Sequence, residues 1–257
     1  MARSSHHIVV TGAGTGIGRA IALRLAAKGV KLSLVARNVE RLDATAALAR
    51  KSGAEVATFA CDIRRKKQVD AAFDAAAEKF GPVFALVANS GIGGPNIPDS
   101  KDRFDDLVAT NLGGTYYSLR AAVRHLAPGP DARHLVVISS ILARIGVPGY
   151  AGYCASKAGL LGLVRSLAVE LAPQNVQVNA VCPGWVNTEM AHAGLGDMAR
   201  AMNVSVEEAR RIAMQAVPMG RMSEPEDVAG LVAWLISKDS RGVTGQALDI
   251  NGGAFMG

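Results

Sequence analysis

The chain has 257 residues, and its 28 Lys and Arg against 22 Asp and Glu give a net charge of +6. At 49% hydrophobic and 19% charged it holds ample material for a buried core, which excludes wholesale disorder. No run of about twenty apolar residues offers a membrane-spanning helix, and aromatics at 5%, with abundant Ala and Gly, suit helices packed closely on a sheet better than a β-sandwich. The opening Met1-Ala2-Arg3-Ser4-Ser5-His6-His7 runs straight into Ile8-Val9-Val10, so no signal peptide is expected. Cys61, Cys154 and Cys182 form no C-x-x-C pair, which points to a reducing, cytoplasmic setting. The isoelectric point near 9.4 does not imply nucleic acid. The one dense basic run, Arg64-Arg65-Lys66-Lys67, reads as a solvated face, and no aromatic platform or zinc spacing accompanies it. The five histidines are scattered without metal-ligand spacing, so no metal is expected.

In chain order, hydrophobic periodicity predicts a strand over 8–11, a helix over 16–28, a strand over 31–36 and a helix over 40–51. A strand over 55–60, a helix over 66–80 and a strand over 84–88 follow. One long helix is expected over 105–126, broken from a strand over 134–139 by Pro128-Gly129-Pro130-Asp131. Then come a helix over 153–171, a strand over 176–181, a helix over 225–236 and a last strand over 247–250. Short apolar strands alternating with helices predict an α/β fold: a Rossmann-type, doubly wound parallel sheet forming a single domain over 1–257. Between 185 and 221 the rhythm lapses. This interval carries Gly194, Gly196 and an amphipathic piece over 204–216 begun by Ser205, and is expected to be a small helical lid over the substrate, with a plain surface hairpin as the alternative.

The first strand ends in Thr11-Gly12-Ala13-Gly14-Thr15-Gly16-Ile17-Gly18 and opens a helix. In that setting glycines permit positive φ and let backbone N–H groups approach a pyrophosphate at the helix N-terminus. The second strand ends in Ala36-Arg37, with no acid to accept from the adenosine ribose. Arg37 is suited to a 2′-phosphate, which argues for NADP(H) over NAD(H), though an exposed arginine at a helix start would look the same. Asp62 either caps the following helix or contacts adenine, and capping is the simpler reading. The basic run after it would add positive potential nearby. Ser139-Ser140 closes a strand, and Tyr153 and Lys157, four residues apart, share a helix face. An ammonium beside a phenol favours phenolate, so Lys157 is expected to lower the Tyr153 pKa and make it a proton donor to a carbonyl or acceptor from an alcohol.

These segments together resemble the short-chain dehydrogenase/reductase family. The resemblance covers nearly the whole chain and is carried by Thr11-Gly12 through Gly18, Asp62, Asn89-Ser90-Gly91, Asn111, Ser139-Ser140, Tyr153-x-x-x-Lys157 and Pro183-Gly184. It implies that Tyr153 is the general acid/base and that Lys157 binds the nicotinamide ribose. Ser140, thirteen residues before Tyr153, would polarise the substrate oxygen, and Asn111 would hold a water in a proton relay. For the cofactor it implies Gly12, Thr15, Gly16, Ile17, Gly18, Arg37, Asp62, Ile63, Asn89, Gly91, Pro183, Gly184 and Val186, with Thr188 on the carboxamide. Leu142, Ile145, Tyr150, Trp185 and Met190, with Gly146 and Val147, are substrate-facing candidates for which core packing is the alternative. Two departures stand out: Ala88-Asn89-Ser90-Gly91 replaces the family's Asn-Asn-Ala-Gly, and Thr15 stands where NADP-using members often carry a basic residue. NADP(H) preference therefore rests mainly on Arg37 and the missing acid, and use of NAD(H) stays open.

The segment from Trp185 to Arg221 is similar to that of 3-oxoacyl-thioester and polyketide ketoreductases. The expectation is thus hydride transfer between NADP(H) and a ketone or secondary alcohol, on a 3-oxoacyl or polyketide-like small molecule. The alternatives are an NAD-dependent dehydrogenase of a cyclic or hydroxyacyl alcohol and, against the retained Tyr153 and Lys157, a non-catalytic nucleotide-binding scaffold. The resemblance also implies a homotetramer or dimer built on the helices over 105–126 and 153–171.

Overall fold

The computed structural model describes residues 6–96, 99 and 101–257. The five residues that open the chain, on which the expectation about a signal peptide partly rests, lie outside them. Seven strands make one parallel sheet: β1 (His6–Thr11), β2 (Val30–Ala36), β3 (Glu55–Ala60), β4 (Ala85–Ala88), β5 (Arg133–Ile138), β6 (Val176–Pro183) and β7 (Ala247–Ile250), in the order β3-β2-β1-β4-β5-β6-β7. The order reverses between β1 and β4. Such a reversal opens a crevice at the C-terminal ends of the strands, and there ligands bind in this class of sheet.

Because successive strand residues face opposite ways, Ile8 and Val10 pack to one side of β1 and Val9 to the other. On the first side lie α1 (Gly16–Leu25), α2 (Val39–Lys51) and α9 (Pro225–Leu235), through Ile21, Leu42 and Val232. On the second lie α3 (Lys66–Phe80), α5 (Thr115–Arg124) and α6 (Ala151–Leu171), through Phe73, Leu119, Leu160 and Val164. Each such fully buried side chain contributes about 1.5–3 kcal/mol, so two covered faces hold the sheet rigid beneath the crevice.

The predicted helix over 105–126 is three pieces: α4 (Phe104–Val108), a π-helical turn (Ala109–Gly114) and α5. Gly113-Gly114 weakens the helix there, and Ile63 fills the space beside Gly114, where an added Cβ would stand 2.6 Å from its Cδ1. The helix over 16–28 ends at Leu25, and the chain turns through Gly29 at φ +84° into β2. In the 185–221 interval, α8 (Val206–Gln215) is capped by Ser205 Oγ as its sequence suggests. A second helix, α7 (Glu189–Met202), was masked in the sequence by Gly194 and Gly196. Leu195, Ala213 and Met222, with Trp185 against them, fasten this hairpin. No helix among the described residues is long and apolar enough to cross a membrane, and no group of three His, Cys, Asp or Glu there is placed to hold a metal.

Candidate active site

A cleft of about 310 Å³ opens along the C-terminal ends of β1, β2, β4 and β5. Its floor is the turn from β1 into α1. Gly12 and Gly16 hold φ of +68° and +50°, conformations that other residues adopt only with strain. Gly18 allows a closer approach still: a Cβ there would stand 2.2 Å from the Gly12 carbonyl oxygen and 2.5 Å from Asn89 Nδ2. From α1, Arg19 Nη2 donates to Gly14 O at 2.7 Å and draws the turn against the helix. Thr11 Oγ1 accepts from the backbone N–H groups of Asn89 and Ser90, both at 3.1 Å, while Asn89 Nδ2 donates to Thr11 O and Gly12 O. The side chain of Asn89 therefore stitches β4 to the glycine turn. Thr11, part of the glycine motif in the sequence, takes this bridging role from partners 78 and 79 positions away, which no local signal shows.

At one end of the cleft stand Ala36, Arg37, Asn38 and Arg41. Asn38 Oδ1 caps α2 by accepting from Arg41 N at 2.8 Å, and this leaves Arg37 exposed at the rim. Asp62 faces the same end. It does not cap α3, whose N-cap is Arg65; both its oxygens are instead engaged by Arg64, at 2.7 Å for Oδ2 to Nη2. The Arg64 guanidinium holds the Asp62 carboxyl below the usual carboxylate range. Arg64 also pairs with Asp106 at 2.7 Å, so its charge is spent between two carboxylates and adds little positive potential to the cleft. Ile63 lines the cleft beside Asp62, and Gly91 lines it at the end of β4. Across the mouth, Arg41 Nη1 meets Glu189 Oε2 at 2.8 Å, a pairing between α2 and α7 across 148 positions that no local signal announces.

The other end holds the acid–base group. Tyr153 and Lys157 lie on the cleft-facing side of α6, with Lys157 Nζ 5.7 Å from the Tyr153 ring centroid. Lys157 is buried, and Nζ donates to Ile138 O at 3.0 Å. Burial pushes its pKa down to about 8. Burial likewise pushes the Tyr153 phenol up from its ordinary value, while the Ser140 hydroxyl beside it acts the other way. The expected lowering of Tyr153 by Lys157 is thus not met. Desolvation is the largest influence on the phenol here, and it disfavours the phenolate. Ser140 Oγ accepts from Leu142 N at 3.1 Å, and Ser139 Oγ donates to Lys157 O at 2.9 Å, tying the end of β5 to α6.

Asn111, on the π-helical turn, is fully buried. Its Oδ1 accepts from Ile92 N at 2.8 Å, and its Nδ2 donates to Ile92 O and Ser156 Oγ. The side-chain amide thereby fixes the loop after β4 against α6.

Thr15, Gly16, Ile17, Thr188 and Met190 line the cleft as the sequence suggested. Thr188 caps α7 by accepting from Ala191 N, and its Cγ2 lies 3.2 Å from where a Cβ on Gly16 would stand. Several other candidates are not among the residues that line the cleft. Pro183 ends β6, Gly184 N donates to Ile250 O, and Val186 packs its side chain into the core. Trp185 packs against the α7–α8 hairpin and serves as its anchor. Leu142 follows Ser140 in a short 3-10 turn; Ile145 and Val147 are exposed beyond it, Gly146 lies between them, and Tyr150 precedes α6.

The arrangement fits a dinucleotide. The glycine turn lines the cleft with Gly12, Gly14 and Gly16 at the N-terminus of α1, and the buried Lys157, also on the cleft lining, has one carbonyl as the hydrogen-bond acceptor of its Nζ among the described residues.

Comparison with known proteins agrees. A family model described as enoyl-(acyl carrier protein) reductase matches residues 12–254. The chain is 34% identical over 257 residues to the 3-oxoacyl-(acyl-carrier-protein) reductase MabA of Mycobacterium tuberculosis, covering 98% of this chain and 94% of that protein. It is 34% identical over 252 residues to 2-(S)-hydroxypropyl-CoM dehydrogenase 3 of Xanthobacter autotrophicus, covering 96% of this chain and 95% of that one. A crystal structure of an actinorhodin polyketide ketoreductase variant with NADPH superposes with a TM-score of 0.89 at 36% identity, covering 97% of each chain. By matched length, fold and cleft together, the chain belongs to the short-chain dehydrogenase/reductase family.

Proposed function

We propose that this chain is an NADP(H)-dependent ketoreductase acting on a 3-oxoacyl or polyketide-like carbonyl, with a cytoplasmic location and a homotetrameric or dimeric assembly. One observation carries the reading: a single cleft has Tyr153 and Lys157 at one end and Arg37, beside an Ala36 that offers no carboxylate, at the other. The similarity to proteins named 3-oxoacyl reductase and polyketide ketoreductase supports the substrate class. When bound, NADPH supplies the hydride that goes to the carbonyl carbon. Tyr153 Oη delivers the proton that the carbonyl oxygen takes up, and Ser140 hydrogen-bonds that oxygen. Lys157 holds positive charge beside the phenol and keeps donors free for ribose hydroxyls. Arg37 pairs with a 2′-phosphate, and Thr15, Gly16 and Ile17 present backbone N–H groups to the pyrophosphate. The α7–α8 hairpin acts as a lid, bringing Met190 over the reacting carbonyl and excluding water.

The test is titration of NADPH and NADH into wild type and Arg37→Asp, with turnover of an acetoacetyl thioester and an enoyl thioester control. Wild type binds NADPH at least ten-fold more tightly than NADH, Arg37→Asp loses that preference, and only the 3-oxo thioester is reduced. Equal or tighter binding of NADH by wild type would overturn the cofactor assignment and favour the oxidative dehydrogenase. That reading has its own support in the similarity to the hydroxypropyl-CoM dehydrogenase.

A further inference from the structure

The first turn of α6 carries Tyr153 and is poorly equipped to hold itself. Tyr150, its N-cap, offers no side-chain acceptor, and the next two positions are Ala151 and Gly152. Before them Gly149 sits at φ +77°. The N–H groups of a first helical turn have no partner within the helix, and an uncapped turn frays. Here the missing acceptor comes from a distant loop. Asn96, buried at 8% exposure in the segment after β4, accepts from Gly152 N through Oδ1 at 2.7 Å. Its own backbone N–H donates to Gly149 O at 2.8 Å, so one residue grips both sides of the entry to α6. Gly152 packs closely on α4: a Cβ there would stand 3.2 Å from Phe104 Cα and from Leu107 Cδ1, so these neighbours would have to give way by a few tenths of an ångström. The far side of the same turn is held separately: Ser156 Oγ donates to Tyr153 O at 2.8 Å and is itself bonded by Asn111.

We propose that Asn96 is a positioning residue for Tyr153, capping α6 from the β4–α4 loop so that the phenol is held at the reaction distance. The assignment rests on the proposed role of Tyr153 as the proton donor. Lys157, one turn deeper and bonded to Ile138 O, does not depend on this cap. The cap therefore acts on the proton-transfer step rather than on cofactor binding. Misplacement of a reacting group by about 1 Å costs on the order of 100-fold, and a frayed but partly populated turn costs less.

The experiment compares wild type, Asn96→Ala and Asn96→Asp in NADPH-dependent reduction of an acetoacetyl thioester, with NADPH affinity by fluorescence and amide hydrogen exchange at the start of α6. Asn96→Ala is expected to lower kcat about ten-fold, with KM and NADPH affinity within two-fold of wild type, and to speed exchange at Gly152 and Tyr153. Asn96→Asp, which keeps an acceptor for Gly152 N–H, is expected to recover most of kcat and of the protection. Unchanged kcat in Asn96→Ala would overturn the proposal, as would a loss that follows NADPH affinity and is not rescued by Asp. Wild type that reduces no carbonyl would overturn the proposed function instead, and unchanged exchange at Gly152 in Asn96→Ala would then overturn the cap itself.

Discussion

Asn89 occupies the space that a side chain on Gly18 would need: its Nδ2 lies 2.5 Å from the position of a Cβ there, while it donates to Thr11 O and Gly12 O. The glycine at 18 is thus required by the β4 end of the sheet as much as by any ligand. The Gly12 carbonyl oxygen, which accepts from that same Nδ2, would be only 2.2 Å away. Gly18→Ala is expected to destabilise the fold by about 3 kcal/mol, at the upper end for overpacking, and to abolish NADPH binding. Gly14→Ala, whose Cβ would meet Arg41 Cβ at 3.1 Å on an exposed helix, should cost under about 1 kcal/mol. Urea unfolding of the two variants gives the comparison.

Thr11 Oγ1 is the acceptor for two backbone N–H groups in a residue that is 1% exposed. Thr11→Val keeps the shape and leaves both donors unpaired, so a loss of about 2–4 kcal/mol is expected, with Thr11→Ser near wild type. Denaturant midpoints at constant m-value check it.

Tyr153→Phe is expected to lower kcat by at least about 100-fold with NADPH binding unchanged, since it removes a proton donor and little else. In wild type, kcat/KM for NADPH should fall as pH rises through about 8, where Lys157 loses the proton that burial has already weakened. Lys157→Ala should remove that limb and lower kcat/KM at neutral pH. The measurement is a pH–rate profile of the free enzyme at saturating ketone.

His134 lies buried at the N-terminal end of β5, with its ring edge-on to Phe84 at 5.2 Å, and burial holds its pKa down to about 4. His7, also buried, is lowered in the same direction by burial, and bonds Ser33 Oγ and Gly81 O. A histidine that stays neutral in the fold takes up its proton first when unfolded. The unfolded chain therefore binds more protons between pH 6.5 and 4, and stability falls as pH falls through that window. The His134 contribution amounts to roughly 3 kcal/mol at about 1.4 kcal/mol per pH unit. His134→Leu should flatten most of this slope, read as ΔG of unfolding at pH 7, 5.5 and 4.5.

Much of this architecture is legible along the chain because it is written in local signals. Apolar strands buried on both faces alternate with amphipathic helices, glycines mark the phosphate turn, and the four-residue spacing of Tyr153 and Lys157 puts them on one helix face. What the tertiary structure alone decided depends on contacts between segments distant in sequence. Asn111 bonds Ile92 and Ser156, so its amide ties the loop after β4 to α6. Asp62 is claimed by Arg64, which Asp106 holds from 42 residues away. Asn96 caps a helix that begins beyond Gly149, and desolvation reverses the direction expected for Tyr153. Periodicity determines which face of an element is buried. Which polar atom meets which, and how dry that meeting place is, is settled only when the sheet brings the loop ends together.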